Sequence, residues 1–141
     1  MQGADVICTC TPGDYAIVEE HNLKPGCFGV GIEGGCAFTE NAIHQADKFI
    51  VDDIPLAEYF QKISIGRKND RGEDNWEFPG GIPPVYATIG QIVAGQREAR
   101  HSQQERILAF PIGMAICDIS LGQTVLAKAK RQGVGTPFRL A

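Results

Sequence analysis

Glycine, threonine and carboxylate residues follow three hydrophobic runs of this 141-residue chain, at the points where those runs end. The runs read as buried strands at Ala4–Thr9, Cys27–Ile32 and Lys48–Val51. In a parallel sheet, ligands bind beyond the carboxyl ends of the strands. The sequence therefore predicts that any chemistry lies in three segments: Thr9–Gly13, Gly31–Cys36 and Asp52–Asp53. The alternative is that the Thr-Pro-Gly sequence after the first run is an ordinary turn.

The second run contains a possible dinucleotide fingerprint. Gly29-Val-Gly-Ile-Glu-Gly34 spells G-x-G-x-x-G, and Asp52 and Asp53 follow near the distance expected of a ribose-binding acid. The fingerprint works when a helix begins at its third glycine, because the N-terminal amides of that helix meet the pyrophosphate. Here Gly35 follows, and the first good helix start is Thr39. With 17 glycines in the chain, we favour a chance match in a strand that lies close to another backbone or to a ligand.

Composition excludes several classes of partner. The formal net charge of −4 argues against nucleic acid, because phosphate binding needs clustered Lys and Arg. Lys128, Lys130 and Arg131 end a predicted helix, where they complement its dipole. No stretch approaches the length of a membrane span, and the first residues of this sequence do not show a basic region followed by an apolar run. We expect a cytoplasmic protein that binds neither membrane nor nucleic acid.

The five cysteines, at positions 8, 10, 27, 36 and 117, form no C-x-x-C pair and no Cys/His metal spacing. The three histidines, at positions 21, 44 and 101, are scattered. We therefore predict no metal site. We expect all the cysteines to be reduced and most of them to be buried as small hydrophobic residues.

Strand and helix signals alternate along the chain, which predicts an α/β fold with a parallel sheet in one domain spanning residues 1–141. Thr39 is a good N-cap, and Gly133 is the expected left-handed C-cap of the longest helix. Residues between Ser64 and Pro84 lose the pattern around the single Trp76 and read as a long irregular loop. A fourth strand is predicted at Arg106–Phe110. Helices are predicted at Val18–Asn22, 39–45, Ile54–Ile63, Thr88–Val93 and Met114–Gln132.

The order of the motifs resembles the ornithine cyclodeaminase/μ-crystallin family over nearly the whole chain. Members of that family carry a strand that ends in a Thr-x-Thr turn, a Lys-Pro-Gly turn and an acidic strand end. They then carry a short helix that ends in glycine and a Gly-x-Ala-x-x-Asp helix. The matching segments here are Thr9-Cys-Thr11, Lys24-Pro-Gly26, Ala46-Asp-Lys-Phe-Ile-Val-Asp-Asp53, Ile89-Gly-Gln-Ile-Val-Ala-Gly95 and Gly113-Met-Ala-Ile-Cys-Asp118. Within the family, Glu33-Gly-Gly-Cys36 and the loop around Trp76 most resemble the branch that is named for tyramine oxidase.

The resemblance implies a fold, a cofactor and a set of site residues. The fold is a partial Rossmann-like parallel sheet with flanking helices and a long C-terminal helix, and it corresponds to the second half of the family's nucleotide domain. The cofactor of the complete fold is NAD or NADP, and the substrate is an amino acid or a cyclic imine. The implied cofactor-binding residues are Thr9, Thr11, Gly31, Ile32 and Ile112.

The chain also departs from the family pattern. The family's first βαβ unit, its phosphate loop, its basic substrate clamp and its dimerisation domain have no counterpart in these residues. The family's catalytic Asp falls on Gly34 or Gly35, which leaves Glu33 as the nearest carboxylate and the implied catalytic residue. A Lys near the family's cofactor falls on Phe38 or Thr39, and a Ser that contacts the nicotinamide falls on Pro111.

Two classes of function remain open. The chain is either the C-terminal portion of an NAD(P)-dependent cyclodeaminase, ketimine reductase or amino-acid dehydrogenase, or a non-catalytic binding or partner subunit that kept the fold. In either case we expect no turnover and no tight cofactor binding by the chain alone. The apolar stripe of the last helix, formed by Ile116, Ile119, Val125 and Leu126, predicts a homo-oligomer or association with a complementary half. The alternative is a monomer whose last helix folds back on its own sheet.

Overall fold

The computed structural model describes residues 1–13, 15–35, 37–68, 72, 78 and 80–138. Ten elements follow one another within these described residues, beginning with a strand and ending with the longest helix. They are β1 (Val6–Thr9), a 3-10 turn (Glu20–Asn22), β2 (Phe28–Gly31), α1 (Glu40–His44), β3 (Lys48–Val51), α2 (Ile54–Ser64), β4 (Val85–Thr88), α3 (Ile89–Val93), β5 (Ile107–Phe110) and α4 (Ala115–Gln132).

The five strands form one sheet in the order β1-β2-β5-β3-β4, and every neighbouring pair is parallel. Thr9 pairs with Gly31, and Phe110 pairs with Val51. The carboxyl ends of β1, β2, β5 and β3 therefore lie side by side at one edge of the sheet. This architecture confirms the predicted α/β fold with a Rossmann-like parallel sheet, flanking helices and a long last helix.

Aromatic side chains fill one face of the sheet, which we call the covered face. The rings of Phe38 and Phe110 meet at 5.0 Å, and those of Phe49 and Phe110 at 5.3 Å. Phe78 joins the same cluster. These residues are fully or almost fully buried together with residues of α1 and α2. The large apolar residues of this face thus form the principal core of the described residues.

The glycines of β2 are explained by this packing. A Cβ on Gly29 would overlap Leu108 and crowd the ring of Phe38, and a Cβ on Gly31 would overlap the Gly34 carbonyl and the ring of Phe110. No helix starts at Gly34, because α1 begins only at Glu40. The G-x-G-x-x-G sequence therefore lets aromatic rings approach β2 and does not form the strand-to-helix turn of a dinucleotide fingerprint.

The opposite face is only partly covered. Ile50, Ile107 and Ala109 form a second, smaller apolar cluster there, against which Phe28, Val30, Ile89 and Ile92 pack. A cavity of about 470 Å³ opens beside this cluster. On β1, Val6 and Cys8 are exposed. We call this surface of β1, β2, β5 and β3 the open face.

The helix ends follow the capping rules. The hydroxyl of Thr39 accepts a hydrogen bond from the Ala42 amide at 3.2 Å, which confirms it as the N-cap of α1. Gly133 has φ 65°, which confirms the predicted left-handed cap of α4. The helix predicted at Val18–Asn22 shrinks to a single 3-10 turn, because Val18 forms a parallel bridge with Phe38 instead.

Several other predictions need correction. Strand β4 was not predicted and occupies Val85–Thr88. The prediction that most cysteines are buried is wrong for the described ones, because Cys8, Cys10 and Cys117 are exposed and only Cys27 is buried. Cys36, Trp76 and residues 69–71, 73–75, 77 and 79 of the loop predicted around Trp76 lie outside the described residues. Within the described part of the chain, no helix is both long and apolar enough to cross a membrane.

Candidate functional site

The hydrogen bond between Thr9 and Glu33 forms the centre of the candidate site. Thr9 ends β1 and is buried, and Glu33 lies two residues beyond the end of β2. The Thr9 hydroxyl donates to Oε1 of Glu33 at 2.7 Å. Oε2 of the same carboxylate is buried and has no hydrogen-bond partner among the described residues. A buried carboxylate oxygen without a partner is costly, so it is available for a donor that the described residues do not supply.

A tight backbone turn places Glu33 beside Thr9. The Ile32 amide donates to the Thr9 carbonyl at 3.0 Å, and the Gly34 amide donates to the Gly31 carbonyl at 3.4 Å. Gly34 has φ 105°, a conformation that favours glycine. Because Gly31 has no side chain, the Gly34 carbonyl can lie against it. The sequence Gly-Ile-Glu-Gly is thus what turns the carboxylate back toward β1.

The remaining predicted cofactor residues lie at the same edge of the sheet. The hydroxyl of Thr11 accepts a hydrogen bond from the Gly13 amide at 3.0 Å and so shapes the turn after β1. Ile32 follows β2 with an exposed side chain. Ile112 follows β5 and lines a cavity of about 730 Å³ between α3 and the start of α4. The fold therefore places six predicted residues at or just beyond the carboxyl ends of three neighbouring strands: Thr9, Thr11, Gly31, Ile32, Glu33 and Ile112.

The two acids at the end of β3 have structural partners. Oδ2 of Asp52 accepts a hydrogen bond from the Gly113 amide at 2.6 Å, and its Oδ1 accepts one from the Asp53 amide at 3.0 Å. The Asp53 side chain caps α2 by accepting from the Leu56 amide at 2.8 Å. Asp52 thereby ties the end of β3 to the loop that leads into α4. Because both carboxylates already accept backbone hydrogen bonds, neither is placed as a free acceptor for a ribose hydroxyl.

Phe38, Thr39 and Pro111, the positions where the sequence lacks the expected polar residues near the cofactor, have structural roles as well. Phe38 is fully buried in the aromatic cluster, and Thr39 caps α1. Pro111 lines the cavity of about 470 Å³ and the cavity of about 730 Å³. Phe38 and Pro111 have no polar side-chain group, and the Thr39 hydroxyl already serves the helix cap. Among the predicted site residues, Glu33 is therefore the one with a buried side-chain oxygen left unpaired.

A second polar cluster lies at the amino end of β3 and was not predicted. The buried ammonium of Lys48 lies 3.3 Å from Oε2 of Glu105 and 4.5 Å from the centre of the Tyr86 ring. It also donates to the carbonyls of Glu98 and Ala99 at 3.4 and 3.3 Å. A lysine at the start of a buried strand was the available signal, because such a group needs a paired charge.

Glu105 is the acid of this cluster. Burial raises its pKa, but hydrogen bonds from the amides of His101 and Ser102 and from the Lys48 ammonium outweigh this and lower the pKa below its ordinary value. All these contacts lie at the edge of the sheet opposite Glu33. The cluster therefore anchors the segment before β5 and takes no part in the candidate site. Elsewhere, among the residues that the structure describes, no group of three or more His, Cys, Asp or Glu could hold a metal ion.

In sequence, the chain is similar to amino-acid dehydrogenases. It is 31% identical over 140 residues to the N-((2S)-2-amino-2-carboxyethyl)-L-glutamate dehydrogenase of Staphylococcus aureus, covering 99% of this chain and 39% of that protein. It is 27% identical over 138 residues to the alanine dehydrogenase of Archaeoglobus fulgidus, covering 96% of this chain and 40% of the relative. The chain thus spans about two fifths of the length of these relatives.

Solved structures agree on the fold. An archaeal alanine dehydrogenase dimer with bound NAD superposes with a TM-score of 0.69 at 25% identity, covering 97% of this chain and 41% of the other. The Thermococcus litoralis Delta(1)-pyrroline-2-carboxylate reductase in complex with NADH and L-proline gives the same TM-score at 18% identity, covering 97% of this chain and 41% of the other. The family model for the ornithine cyclodeaminase/mu-crystallin family matches residues 1–133. The chain belongs to the ornithine cyclodeaminase/mu-crystallin family.

Proposed function

We propose that residues 1–141 form the nicotinamide-facing and substrate-facing part of an NAD(P)-dependent oxidoreductase or deaminase that acts on an amino acid or a cyclic imine. The observation that carries the proposal is the carboxylate of Glu33, held at one oxygen by Thr9 and left without a partner at the other. It lies beyond the carboxyl ends of parallel strands, where such sheets bind ligands. The names of the relatives, which are dehydrogenases and reductases of amino acids and imines, support the same substrate class.

The described residues fit only one end of a dinucleotide. The exposed side chain of Ile32 and the partly buried Ile112 offer apolar surface at the edge where Glu33 lies. A pyrophosphate needs backbone amides at a helix N-terminus. The helix after β2 begins nine positions beyond Gly31, and a 3-10 turn follows β1. These residues suit the nicotinamide-ribose side, and we propose that the phosphates bind residues outside 1–141.

The chemistry divides between cofactor and chain. A bound nicotinamide would give or take the hydride at the substrate carbon. The proposed role of Glu33 is to hold or move the proton at the substrate nitrogen or carbon through Oε2, while Thr9 fixes the carboxylate through Oε1. An acid/base group must lie within hydrogen-bond reach of the proton it moves. A rigid contact on one oxygen therefore helps to aim the other.

The cofactor part of the proposal is tested with the 141-residue polypeptide itself. We expect calorimetric titrations with NAD(H) and NADP(H) to give no binding at micromolar concentrations, because the proposed phosphate contacts are not among these residues. Micromolar affinity would overturn this part of the proposal. It would also restore the dinucleotide interpretation of Gly29–Gly34.

The catalytic part is tested in a chimera. The matching 140-residue segment of the Staphylococcus aureus relative is replaced by this chain, and dehydrogenase turnover is measured with the substrate of that relative. We expect Glu33→Gln to lower turnover about 10²- to 10⁴-fold, as removal of a general acid or base does. Glu58→Gln, on an exposed position of α2, is the matched control and should leave turnover unchanged.

Variants of Thr9 separate positioning from packing. Thr9→Val keeps the volume of the side chain and removes the hydroxyl that binds Glu33, so we expect a lower turnover and a shifted pH profile. Thr9→Ser keeps the hydroxyl and should restore both.

An active chimera in which Glu33→Gln has full turnover would remove Glu33 from the site. A folded chimera that binds cofactor without turnover would favour a non-catalytic partner subunit.

The narrower resemblance to the tyramine oxidase branch of the family stays a prediction. It rests on the Glu33–Cys36 loop and on the segment around Trp76, and both Cys36 and Trp76 lie outside the described residues.

A further inference from the structure

The loop that leads from β5 to α4 is held at both of its ends. Phe110, the last residue of β5, pairs with the last residue of β3. Further along the loop, the amide of Gly113 donates a hydrogen bond of 2.6 Å to Oδ2 of Asp52. Asp52 directly follows β3, so both contacts join the end of β5 to the end of β3. Only Pro111 and Ile112 lie between the two contacts, and the position of Ile112 is therefore set from either side.

The carboxylate of Asp52 is itself firmly placed. Its Oδ1 accepts a hydrogen bond from the Asp53 amide at 3.0 Å, and Asp53 is the N-cap of α2. A helix N-terminus favours a negative charge beside it. A hydrogen bond from an amide to an ionised carboxylate is shorter and stronger than one between neutral groups. The contact between Asp52 and Gly113 is therefore a strong one, with its acceptor fixed by the start of another helix.

The start of α4 has no side-chain cap of its own. Its N-cap is Met114, whose side chain makes no capping hydrogen bond. By contrast, α1, α2 and α3 each begin at a residue whose side chain caps the helix: Thr39, Asp53 and Thr88. Gly113 directly precedes Met114, so Asp52 fixes the chain at the point where it enters α4.

The residue that this contact places is Ile112, one of the predicted cofactor-binding residues. Strand β5, which Ile112 follows, lies between β2, which precedes Glu33, and β3, which precedes Asp52. Ile112 is partly buried and packs against the principal core. Ile112, Gly113 and Asp52 all line the cavity of about 730 Å³. The loop held by Asp52 therefore lies on the part of the sheet edge that the proposed function gives to the nicotinamide-ribose end of the cofactor.

We propose that Asp52 is a positioning residue of the candidate site, which holds Ile112 against the nicotinamide through the amide of Gly113. The inference rests on the proposed function, because it requires a nicotinamide at this edge of the sheet. Asp52 touches neither cofactor nor substrate and acts through the loop. A displacement of about 1 Å in a reacting group can cost on the order of 10²-fold in rate. Since the phosphates are proposed to bind residues outside 1–141, loss of the contact should slow hydride transfer more than it weakens cofactor binding.

Amide hydrogen exchange, followed by NMR in the 141-residue chain, tests the contact itself. Asp52→Asn removes the charge and leaves one carbonyl oxygen for two amides, so we expect exchange at Gly113 to become at least about tenfold faster. Asp53→Asn is the matched control, because it removes the same charge one position away and Asn caps a helix as well as Asp does. Exchange at Gly113 should be unchanged in this control. Unchanged exchange in Asp52→Asn would overturn the proposal.

Kinetics in the chimera described above separate positioning from a loss of folded protein. Turnover is expressed per bound cofactor, with the binding sites counted by fluorescence titration with NADH or NADPH, so that unfolded molecules do not enter the rate. We expect Asp52→Asn to lower kcat per bound cofactor about 10- to 10²-fold, while the KM for the cofactor changes little. Asp53→Asn should change neither value. A merely structural role of Asp52 would leave kcat per bound cofactor unchanged.

The fluorescence of the bound NADH or NADPH gives a second readout, which does not require turnover. The emission of a reduced nicotinamide depends on its surroundings, so Asp52→Asn should change the emission of the bound cofactor and Asp53→Asn should not. A failure of the proposed function is seen separately, as a chimera that binds cofactor without turnover or that ignores Glu33→Gln. In that case the emission still reports on Asp52.

Two results in the chimera would overturn the proposal. The first is faster exchange at Gly113 in Asp52→Asn together with unchanged emission and unchanged kcat per bound cofactor, which would mean that the contact only stabilises the loop. The second is a folded chimera that binds no cofactor, which would overturn the proposed function as well.

Discussion

The two faces of the sheet are built from the same five strands and differ in how completely they are packed. On the covered face, Phe38, Phe49, Phe78 and Phe110 interlock and exclude water almost completely. On the open face, the neighbouring strand positions hold Ile107, Ala109 and Ile50 beside a cavity and the exposed Val6. The covered face of these residues is therefore a complete core, whereas the open face is a surface on which a further element could pack.

The largest expected effect comes from removing a ring of the covered face. Phe110→Ala should lower the free energy of unfolding by about 3–5 kcal/mol, because it leaves a cavity among three other rings. Val6→Ala on the open face should change it by less than about 0.5 kcal/mol, because Val6 is already 61% exposed. Urea unfolding followed by circular dichroism measures both. Equal losses would mean that the two faces are equally packed.

A smaller loss in the free energy of unfolding is expected at Gly31, where other groups pack closely against the backbone of β2 on the covered face. Gly31→Ala should cost about 1–3 kcal/mol, because its Cβ would overlap the Gly34 carbonyl and the ring of Phe110. Gly90→Ala in α3 is the control, since only the Thr88 hydroxyl lies near its Cβ, at 3.8 Å, and it should stabilise by about 0.5–1 kcal/mol. A neutral Gly31→Ala would mean that the Glu33 turn can shift without cost.

The polar cluster of Lys48 and Glu105 at the amino end of β3 predicts how the stability of the fold depends on pH. The pKa of Glu105 is lowered in the folded chain from its ordinary value of 4.5, so its contribution to stability is present above that value. The contribution is lost as the pH falls through the lower, folded pKa. Glu105→Gln should therefore reduce stability at neutral pH and flatten the decline of stability as the pH falls below the ordinary pKa of 4.5. Glu58→Gln is the control for removing one negative charge, and a decline unchanged by Glu105→Gln would contradict the assignment.

The smallest change in stability is expected for a substitution in α4. Gly122→Ala should stabilise the helix locally by about 0.5–1 kcal/mol, because nothing lies within 4 Å of the added Cβ. In the monomer, α4 contributes no buried residue, so amide exchange should slow within α4 and stay unchanged in β5. Slower exchange in both, at concentrations where the chain is monomeric, would mean that α4 packs on its own sheet.

Much of the fold could be predicted from local signals. Thr39 and Gly133 could be predicted as helix ends because each acts within one helical turn. The Thr39 hydroxyl caps the start of α1, and Gly133 adopts the left-handed φ that ends α4. Strand β4 was missed because Val85–Thr88 follows two prolines and runs directly into α3. The exposure of Cys8 and Cys117 could not be predicted either, because it depends on which surfaces of β1 and α4 remain uncovered.

The candidate site was only partly predictable. The positions of Thr9 at a strand end and of Glu33 just after one followed from the sequence, but their hydrogen bond depends on the β1–β2 register and on the turn at Gly34. Asp52 shows the opposite case. Its spacing suggested a ribose acid, whereas its carboxylate holds the Gly113 amide, which is 61 positions away along the chain.

The position of β5 has a consequence for how the chain folds. It lies in the middle of the sheet, between β2 and β3, yet it comes last in sequence among the five described strands. The pairs β1-β2 and β3-β4 cannot join until Ile107–Phe110 has been synthesised. Until then each pair exposes a strand edge and the apolar residues that Phe110 later covers. The sheet of these residues can therefore close only through a contact between segments that are distant in sequence, and non-local pairing of this kind favours slow folding.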